Sequence, residues 1–271
     1  MTKLAVPRTW ERFSPEQRFF RFAFYFLTVA AIVFSLKNIE IIPEFLYDAP
    51  EQLADFFRRM WPMDTPYFQK SVQAALIETL NIATLGTLLS LTMSIPVGIM
   101  AASNVVPIKA LNLLAQFILV SSRSINTLVW ALLFIAIFGP GAMAGTMAIA
   151  FRSIGFVGKL LGEALEEANR GPIDALTATG ASKASIFLKG YWPQVKPSFV
   201  SIALFRWDIN VRESAVLGLV GAGGIGMAMD TAMNLFRWDQ VAVVLSTIFV
   251  VVIIAEIAVS AIRRRDRKSV V

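Results

Sequence analysis

The stretch from Val241 to Ile262, VAVVLSTIFVVVIIAEIAVSAI, is apolar at almost every position and carries one charged residue, Glu256. It is long enough to cross the hydrocarbon core of a bilayer as a helix, which takes about 20 residues. Composition extends this conclusion to the whole chain, because 56% of its 271 residues are hydrophobic and 16% are charged. A soluble domain has about 25% charged residues. We therefore predict an all-α, polytopic membrane protein.

Five further apolar runs complete a prediction of about six transmembrane helices. They lie at about 22–36, 74–102, 111–138, 143–165 and 199–220. The first follows 21 polar-rich residues and has no clear cleavage site after it, which favours a membrane span over a signal peptide. The third is interrupted by Ser121-Ser122-Arg123-Ser124. We predict that residues 1–271 form a single transmembrane domain.

Basic residues flank the first and last spans. Ten of the 25 Lys and Arg residues lie there, at Lys3, Arg8, Arg12, Arg18, Arg21, Arg263, Arg264, Arg265, Arg267 and Lys268. Because cytoplasmic segments carry an excess of Lys and Arg, both the N-terminal segment 1–21 and the tail 263–271 are predicted to be cytoplasmic. The alternative is a basic tail that binds RNA or anionic lipid.

The loops agree with this orientation. Residues 37–72 hold four basic and six acidic residues and are predicted to lie outside, whereas residues 166–195 contain Arg170, Lys183 and Lys189 and are predicted to lie inside. Two cytoplasmic ends require an even number of spans, in agreement with six.

The outer loop contains one amphipathic pattern. Apolar residues recur at i, i+3, i+4 and i+7, at Leu53, Phe56, Phe57 and Met60. Asp48 followed by Glu51 resembles a capping box. We predict a short helix on the outer membrane face with Trp61 as an interfacial anchor. A helix that packs on the bundle is the alternative.

Several functional classes are excluded by composition. The chain has no His and no Cys, which removes the usual zinc sites, disulfides and Ser-His-Asp machinery, and it offers no nucleophile–base constellation for an intramembrane enzyme. Gly155-Phe-Val-Gly158-Lys159 echoes a P-loop, but the spacing differs and no Ser or Thr follows the Lys. We therefore expect no metal site and no ATP binding by this chain itself.

A glycine-rich segment follows the fifth span. Gly221, Gly223 and Gly226 match G-x-G-x-x-G, and Gly224 adds a fourth glycine, but no alternating βα pattern surrounds them. We therefore predict a tight backbone turn at the end of a span, and not a dinucleotide site. Two small-residue patterns, Gly141–Gly145 and Gly158–Gly162, are typical of closely packed membrane helices.

The cytoplasmic loop carries the most informative motif. Asp174-Ala175-Leu176 is followed by Gly180, six positions after Asp174, and by Pro193, thirteen positions after Gly180. This spacing resembles the EAA loop of importer-type ABC transporter permeases. Asp replaces Glu and Leu176 replaces the second Ala of the family pattern, and Gly190 and Trp192 replace its usual apolar residues.

Local physics supports that resemblance. Pro172 suits the first turn of a helix, Gly180 permits a sharp turn, and Ser182 can cap a second short helix. The resemblance implies a coupling helix that docks on a separate ATP-hydrolysing subunit, which would hold ATP and Mg²⁺. The residues that it assigns to this role are Asp174, Ala175, Gly180, Ala181, Ser182 and Pro193. An ordinary amphipathic loop helix is the alternative.

A narrower resemblance covers most of the chain. The run FRWDINVRES from Phe205 to Ser214, followed by the glycine-rich segment, resembles the phosphonate-transporter permease family, to which phosphite importers are closely related. Methionine-importer permeases share the glycine-rich part. The resemblance implies a bacterial inner-membrane permease that moves a phosphorus oxyanion inward. It also implies two ATP-binding cassette subunits and an extracytoplasmic binding protein as partners.

Charged residues within the apolar runs are candidates for the path. Each costs about 2.5–3.5 kcal/mol at a helix centre, so they should face the bundle interior, a cavity or one another. Arg presents a planar fork of donors that suits an oxyanion. The candidates for an anion pathway are Arg123, Arg152, Arg206, Asn210 and Arg212. The alternative is that Arg206–Asp208 and Arg212–Glu213 are structural pairs.

No internal repeat is visible, and family members place two permease halves around one path, so we predict a homodimer.

A helix would have to be broken for Arg206 and Arg212 to share one face, since six residues correspond to about 240° around a continuous helix. Other interpretations are an importer of another substrate, such as methionine, and an ion-driven secondary transporter, which would not need the loop from Asp174 to Pro193.

Overall fold

The structure, a computed structural model, describes residues 13–39 and 43–268. No strand occurs in that part of the chain, which confirms the all-α prediction. The helices are α1 (Pro15–Asn38), α2 (Pro43–Met60), α3 (Thr65–Tyr67), α4 (Gln73–Ala101), α5 (Lys109–Ser124), α6 (Thr127–Phe138), α7 (Ala142–Glu166), α8 (Arg170–Ala178), α9 (Lys183–Ile186), α10 (Trp192–Leu217), α11 (Ile225–Asn234) and α12 (Trp238–Lys268). The π-helical turns Phe68–Val72 and Phe187–Tyr191 join α3 to α4 and α9 to α10.

Among the described residues, five helical stretches are long and apolar enough to cross a membrane. They are Pro15–Asn38, Thr65–Ala101, Ala142–Glu166, Lys183–Asn234 and Trp238–Ile262. Helices α5 and α6 pass the same test together but are bent by 94°, so the number is six if this pair forms one broken span.

The third apolar run is broken by this bend, and not at residues 121–124 where the sequence predicted an interruption. Those residues continue α5, and the chain turns at Ile125 and Asn126. The side chain of Asn126 accepts a hydrogen bond from the Leu128 N–H at 3.0 Å, which satisfies one of the unpaired donors at the start of α6. The local cap therefore sets the position of the break.

The chain divides into two compact units, Met1–Phe56 and Phe57–Val271. In the first, Ser14 and Gln17 form a capping box at the start of α1, with both hydrogen bonds at 3.3 Å. Helix α2 begins at Pro43, well before Asp48, so the predicted cap at Asp48 and Glu51 is wrong. The basic residues Lys3, Arg8 and Arg12, and residues 269–271 of the tail, lie outside the described residues.

The core of the second unit is built where α4 and α7 pack closely. A Cβ placed on Gly98 would lie 2.8 Å from the carbonyl oxygen of Gly158, and one on Gly86 would lie 2.7 Å from Ile149. Only glycine permits this approach at Gly98 and Gly86. A Cβ on Gly158 would itself lie 2.5 Å from Leu119, in agreement with the close packing predicted there. Ile82, Ile149 and Leu217 are fully buried beside this contact.

Candidate functional site

The loop at residues 166–195 presents α8 on the surface of the second unit. Ile173 is buried against Tyr191 and Val195, whereas Asp174 and Ala175 are exposed. Gly190 lies in the π-helical turn beneath α8, where a Cβ would lie 3.3 Å from Leu176. One apolar contact therefore anchors α8 and leaves its small and acidic residues free to meet another surface.

The start of α8 agrees with the prediction. Asn169 caps the helix by accepting the Gly171 N–H at 2.9 Å, so Pro172, its third residue, lies in the first turn. Gln194 accepts the Asn169 N–H at 2.9 Å and donates to the Asn169 carbonyl at 3.2 Å. Sequence reasoning missed Gln194, which lies one residue after Pro193 and fixes α8 to α10.

The end of α8 follows the prediction. Gly180 has φ +74°, and its N–H and that of Ala181 donate to the carbonyls of Thr177 and Leu176 at 3.0 and 3.2 Å. This is a Schellman arrangement, which favours glycine because the backbone is left-handed. Ser182 then caps the next helix by accepting the Ser185 N–H at 3.3 Å.

The second helix of this loop is not a separate short element. Helix α9 continues through the π-helical turn into α10, and Pro193 is the second residue of α10. The π-helical turn comes directly before α10, and Pro193 has no N–H to donate, so the helix continues past the proline without a regular α-helical hydrogen bond at that residue.

The glycine-rich turn lies between α10 and α11. Gly221, Gly223 and Gly224 have φ of +89°, +86° and +77°, which confirms the predicted turn. Gly226 is helical, and a Cβ there would lie 2.7 Å from Gly218, so its role is close approach. Thr79 accepts the Ile225 N–H at 2.7 Å and thereby fixes the first turn of α11.

Helix α10 is unbroken between Arg206 and Arg212, and each arginine has its own carboxylate. Arg206 pairs with Glu213 at 3.2 Å, and Arg212 pairs with Asp208. The predicted alternative pairs, Arg206–Asp208 and Arg212–Glu213, are therefore wrong. Residues one or two apart point to different sides of a helix, whereas residues four or seven apart share a face.

Arg206 lies inside the unit. Its side chain is 5% exposed, its Nε donates to Ser153 Oγ at 2.8 Å, and its guanidinium lies 5.6 Å from the ring centre of Phe156. Asn210 continues this chain of contacts. It accepts from Ser153 at 3.3 Å and donates to Thr87 Oγ1 at 2.8 Å.

Arg152 on α7 joins the same group. Its Nε is 3.9 Å from Glu213 Oε1, and its Nη1 donates to the carbonyls of Arg123 and Ile125 at 3.1 and 3.0 Å. Glu213 also accepts from Thr127 at 2.9 Å. We call Arg152, Arg206 and Glu213 the interior cluster. It ties α7 and α10 to the bend between α5 and α6.

The structure thus brings together three of the five predicted pathway residues, Arg152, Arg206 and Asn210. Arg123 contributes only its backbone carbonyl, which accepts from Arg152, and Arg212 pairs separately with Asp208. The side chain of Arg123 is exposed and lines a cleft of about 300 Å³ together with Gln116, Leu119, Val120, Lys159, Glu163 and other residues of α4, α5 and α7. Sequence reasoning missed Ser153, Thr127 and Thr87, because a hydroxyl within an apolar helix gives no local signal of its partner.

Comparison with known proteins identifies a family and several transport proteins that this chain resembles. The family model described as binding-protein-dependent transport system inner membrane component matches residues 94–268. The chain is 38% identical, over 201 residues, to HtxC of Stutzerimonas stutzeri, which is assigned by name to a phosphite transport system as a permease. The match covers 74% of this chain and 71% of HtxC.

Two further matches extend this comparison. The chain is 34% identical over 236 residues to PhnE of Mycolicibacterium smegmatis, a phosphate-import permease, covering 86% of this chain and 44% of that protein. It also resembles a chain of the MetNI methionine ABC transporter, solved in inward facing conformations, with a TM-score of 0.65 at 22% identity. That match covers 75% of this chain and 99% of the MetNI chain.

Proposed function

The chain belongs to the family of binding-protein-dependent transport system inner membrane components and is a permease of an ABC importer, and we propose that its cargo is a phosphonate, a phosphite or a related phosphorus oxyanion. The 38% identity with a permease named for phosphite transport carries this proposal. Similarity to a phosphate-import permease supports the same class of cargo. Arginine within the spans supports an anionic cargo, since a guanidinium keeps its charge when partly desolvated.

The cargo is tested by uptake into proteoliposomes that contain this chain, its ATPase and its binding protein. We expect ATP-dependent uptake of phosphite or methylphosphonate that is inhibited by the other and not by methionine. Uptake of methionine alone would contradict the proposed cargo. Uptake of the oxyanion without the ATPase, driven by an ion gradient, would contradict the proposed energy source.

We propose that α8 and the turn at Gly180 form the surface that docks on a separate ATPase subunit, where ATP and Mg²⁺ bind. The support is that α8 is held by buried Ile173 and by the Gln194 hydrogen bonds to Asn169, while Asp174 and Ala175 are exposed. Gly180→Leu places a branched side chain in a left-handed turn. We expect the variant to remain inserted and to lose ATPase association and uptake; Gly171→Ala, in the first turn of α8, is the control. Normal uptake by Gly180→Leu would contradict this role.

We propose that two permease chains enclose one path. The homodimer remains a prediction, and a related but different permease chain is the alternative partner. Co-expression of two differently tagged copies distinguishes them. We expect each tag to recover the other, and recovery of only one tag from an active transporter would contradict the homodimer.

Both termini are proposed to be cytoplasmic, on the evidence of the basic clusters at the two ends. The chain has no native Cys, so single introduced cysteines report their side of the membrane without background. We expect a cysteine at position 265 to be labelled only from inside and one at Trp61 only from outside. The reverse pattern would contradict this orientation.

A further inference from the structure

The interior cluster has one positive charge in excess. Arg152 and Arg206 both pair with Glu213, and no second carboxylate pairs with either arginine among the described residues. The cluster lies about 15 Å along α7 from Ala142, at 1.5 Å per residue, and therefore within a predicted span. An uncompensated charge at that depth is costly, so the arrangement is incomplete without an anion.

The two arginines differ in how fully their donors are used. Arg206 is almost completely buried, and its Nε and Nη2 bind Ser153 and Glu213. It has no accessible edge for a cargo. Its position fixes Glu213 Oε2, which also accepts from Thr127. Arg206 is therefore a positioning residue.

Arg152 has N–H groups that donate no hydrogen bond among the described residues. Its side chain is 28% exposed, and only its Nη1 is hydrogen-bonded, to two backbone carbonyls that fix the guanidinium plane. Its Nε is buried without a hydrogen-bond acceptor, because the 3.9 Å to Glu213 is too long for one. Nη2 donates no hydrogen bond among the described residues, and it is the donor that an oxygen of a phosphate or phosphite can reach.

Building on the proposed function, we propose that the Arg152 guanidinium, reached through Nη2, is a transit site for the phosphorus oxyanion, with Glu213 held aside by Arg206 and Thr127. An oxyanion that accepts from Nη2 neutralises the excess charge of the cluster. Because the nearby Glu213 repels the same anion, binding is weak enough for release, as passage through a membrane protein requires.

The test measures cargo moved per ATP hydrolysed, with phosphite as the probe in the complete reconstituted transporter. Arg152→Gln removes the charge and the fork, and we expect a loss of about 10- to 100-fold. Arg152→Lys keeps the charge without the planar fork, and we expect an intermediate loss of about 3- to 10-fold. The phosphite concentration for half-maximal uptake stays unchanged in both variants, since the binding protein performs the capture.

Lys159→Gln is the matched control, because it removes a positive charge from the same helix two turns away, where Lys159 forms an exposed pair with Glu163. It should transport phosphite like the unmodified chain.

Unchanged phosphite per ATP in both Arg152 variants would overturn the transit site and leave the proposed cargo standing. Failure of the unmodified transporter to carry any phosphorus oxyanion would instead overturn the proposed cargo. If Arg152→Gln does not fold, Arg152→Lys decides, because it leaves Glu213 with its cationic neighbour.

Discussion

Two charged clusters of the second unit have similar chemistry and opposite surroundings. In the interior cluster, Arg206 is 5% exposed. In the exposed cluster, which we define as Asp64, Arg237 and Asp239, the arginine is 50% exposed and lies 3.5 and 3.2 Å from its two carboxylates. The hydrogen bond to Asp239 raises the pKa of Arg237 above its ordinary value. The difference shows that burial, and not the number of ion pairs, decides what each cluster contributes.

The physical reason is the cost of removing charges from water. A buried pair gains little over an apolar pair of the same shape, but loss of one partner leaves the other charge buried and unpaired. An exposed pair is solvated whether or not it forms, and salt screens it. The interior cluster should therefore be intolerant of single changes, and the exposed cluster tolerant of them.

The largest effect is expected for Arg206→Gln. Glu213 would lose its closest cation, and we expect the free energy of unfolding to fall by about 3–5 kcal/mol, as for other broken buried pairs. Thermal unfolding and folded yield of the purified chain in detergent measure this loss. Lys159→Gln serves again as the control and should change stability little. A stable, well-folded Arg206→Gln chain would show that Glu213 finds enough support from Arg152 and Thr127.

Sequence reasoning identified the residues of the interior cluster but not their connections. The cost of charge in a span predicted that the charged residues of the spans would face the bundle interior, a cavity or one another, without naming which of them would meet; Arg152 and Arg206 meet at Glu213. Helix periodicity within α10 could have favoured the Arg206–Glu213 pair, which is seven residues apart. The position of α7 against α10 cannot be inferred from one sequence, so Arg152 and Ser153 could not be assigned as partners.

The same distinction holds for the fold. The turn at Gly180 and the turn at Gly223 were predictable, because local backbone geometry requires glycine there. The 94° bend before α6 was not predictable, since apolar residues continue on both sides of Asn126 and hydropathy does not report the angle between two helices. The continuation of α9 into α10 was also missed, because Pro193 is commonly a sign of interruption, whereas here a π-helical turn precedes it and the helix continues.

Arg212→Gln is an intermediate case, because the Arg212–Asp208 pair is exposed on one side only. The Asp208 side chain is 7% exposed, and its Oδ1 has no hydrogen-bond partner, while Arg212 reaches solvent. We expect a loss of about 1–3 kcal/mol from the carboxylate left buried. Asp208→Asn in the same chain should restore part of it in thermal unfolding. No restoration would mean that Arg212 acts through other contacts.

Asn210→Leu tests the neutral part of the interior. Asn210 connects Ser153 to Thr87, and all three lie inside the unit. Leucine has a similar size but leaves the Ser153 hydroxyl without one of its partners, so we expect a loss of about 1–2 kcal/mol. The double variant with Arg206→Gln should lose less than the sum of the two single losses, since both contact Ser153. Strict additivity in thermal unfolding would mean that the two contacts are independent.

The smallest effect is expected for Arg237→Gln. Its carboxylates, Asp64 and Asp239, remain partly in water after the change, and Gln240 still donates to Asp64 at 3.0 Å. The variant therefore loses only the Coulomb attraction between Arg237 and its carboxylates, which acts in a high-dielectric medium and is screened by salt over about 10 Å at 0.1 M. We expect the stability difference from the unmodified chain to shrink as salt is raised from low concentration to about 1 M. The loss caused by Arg206→Gln should persist over the same range, because its charges lie away from mobile ions. Thermal unfolding of both variants at the two salt concentrations makes the comparison within one protein, and an equal salt dependence in both would show that burial does not separate the two clusters.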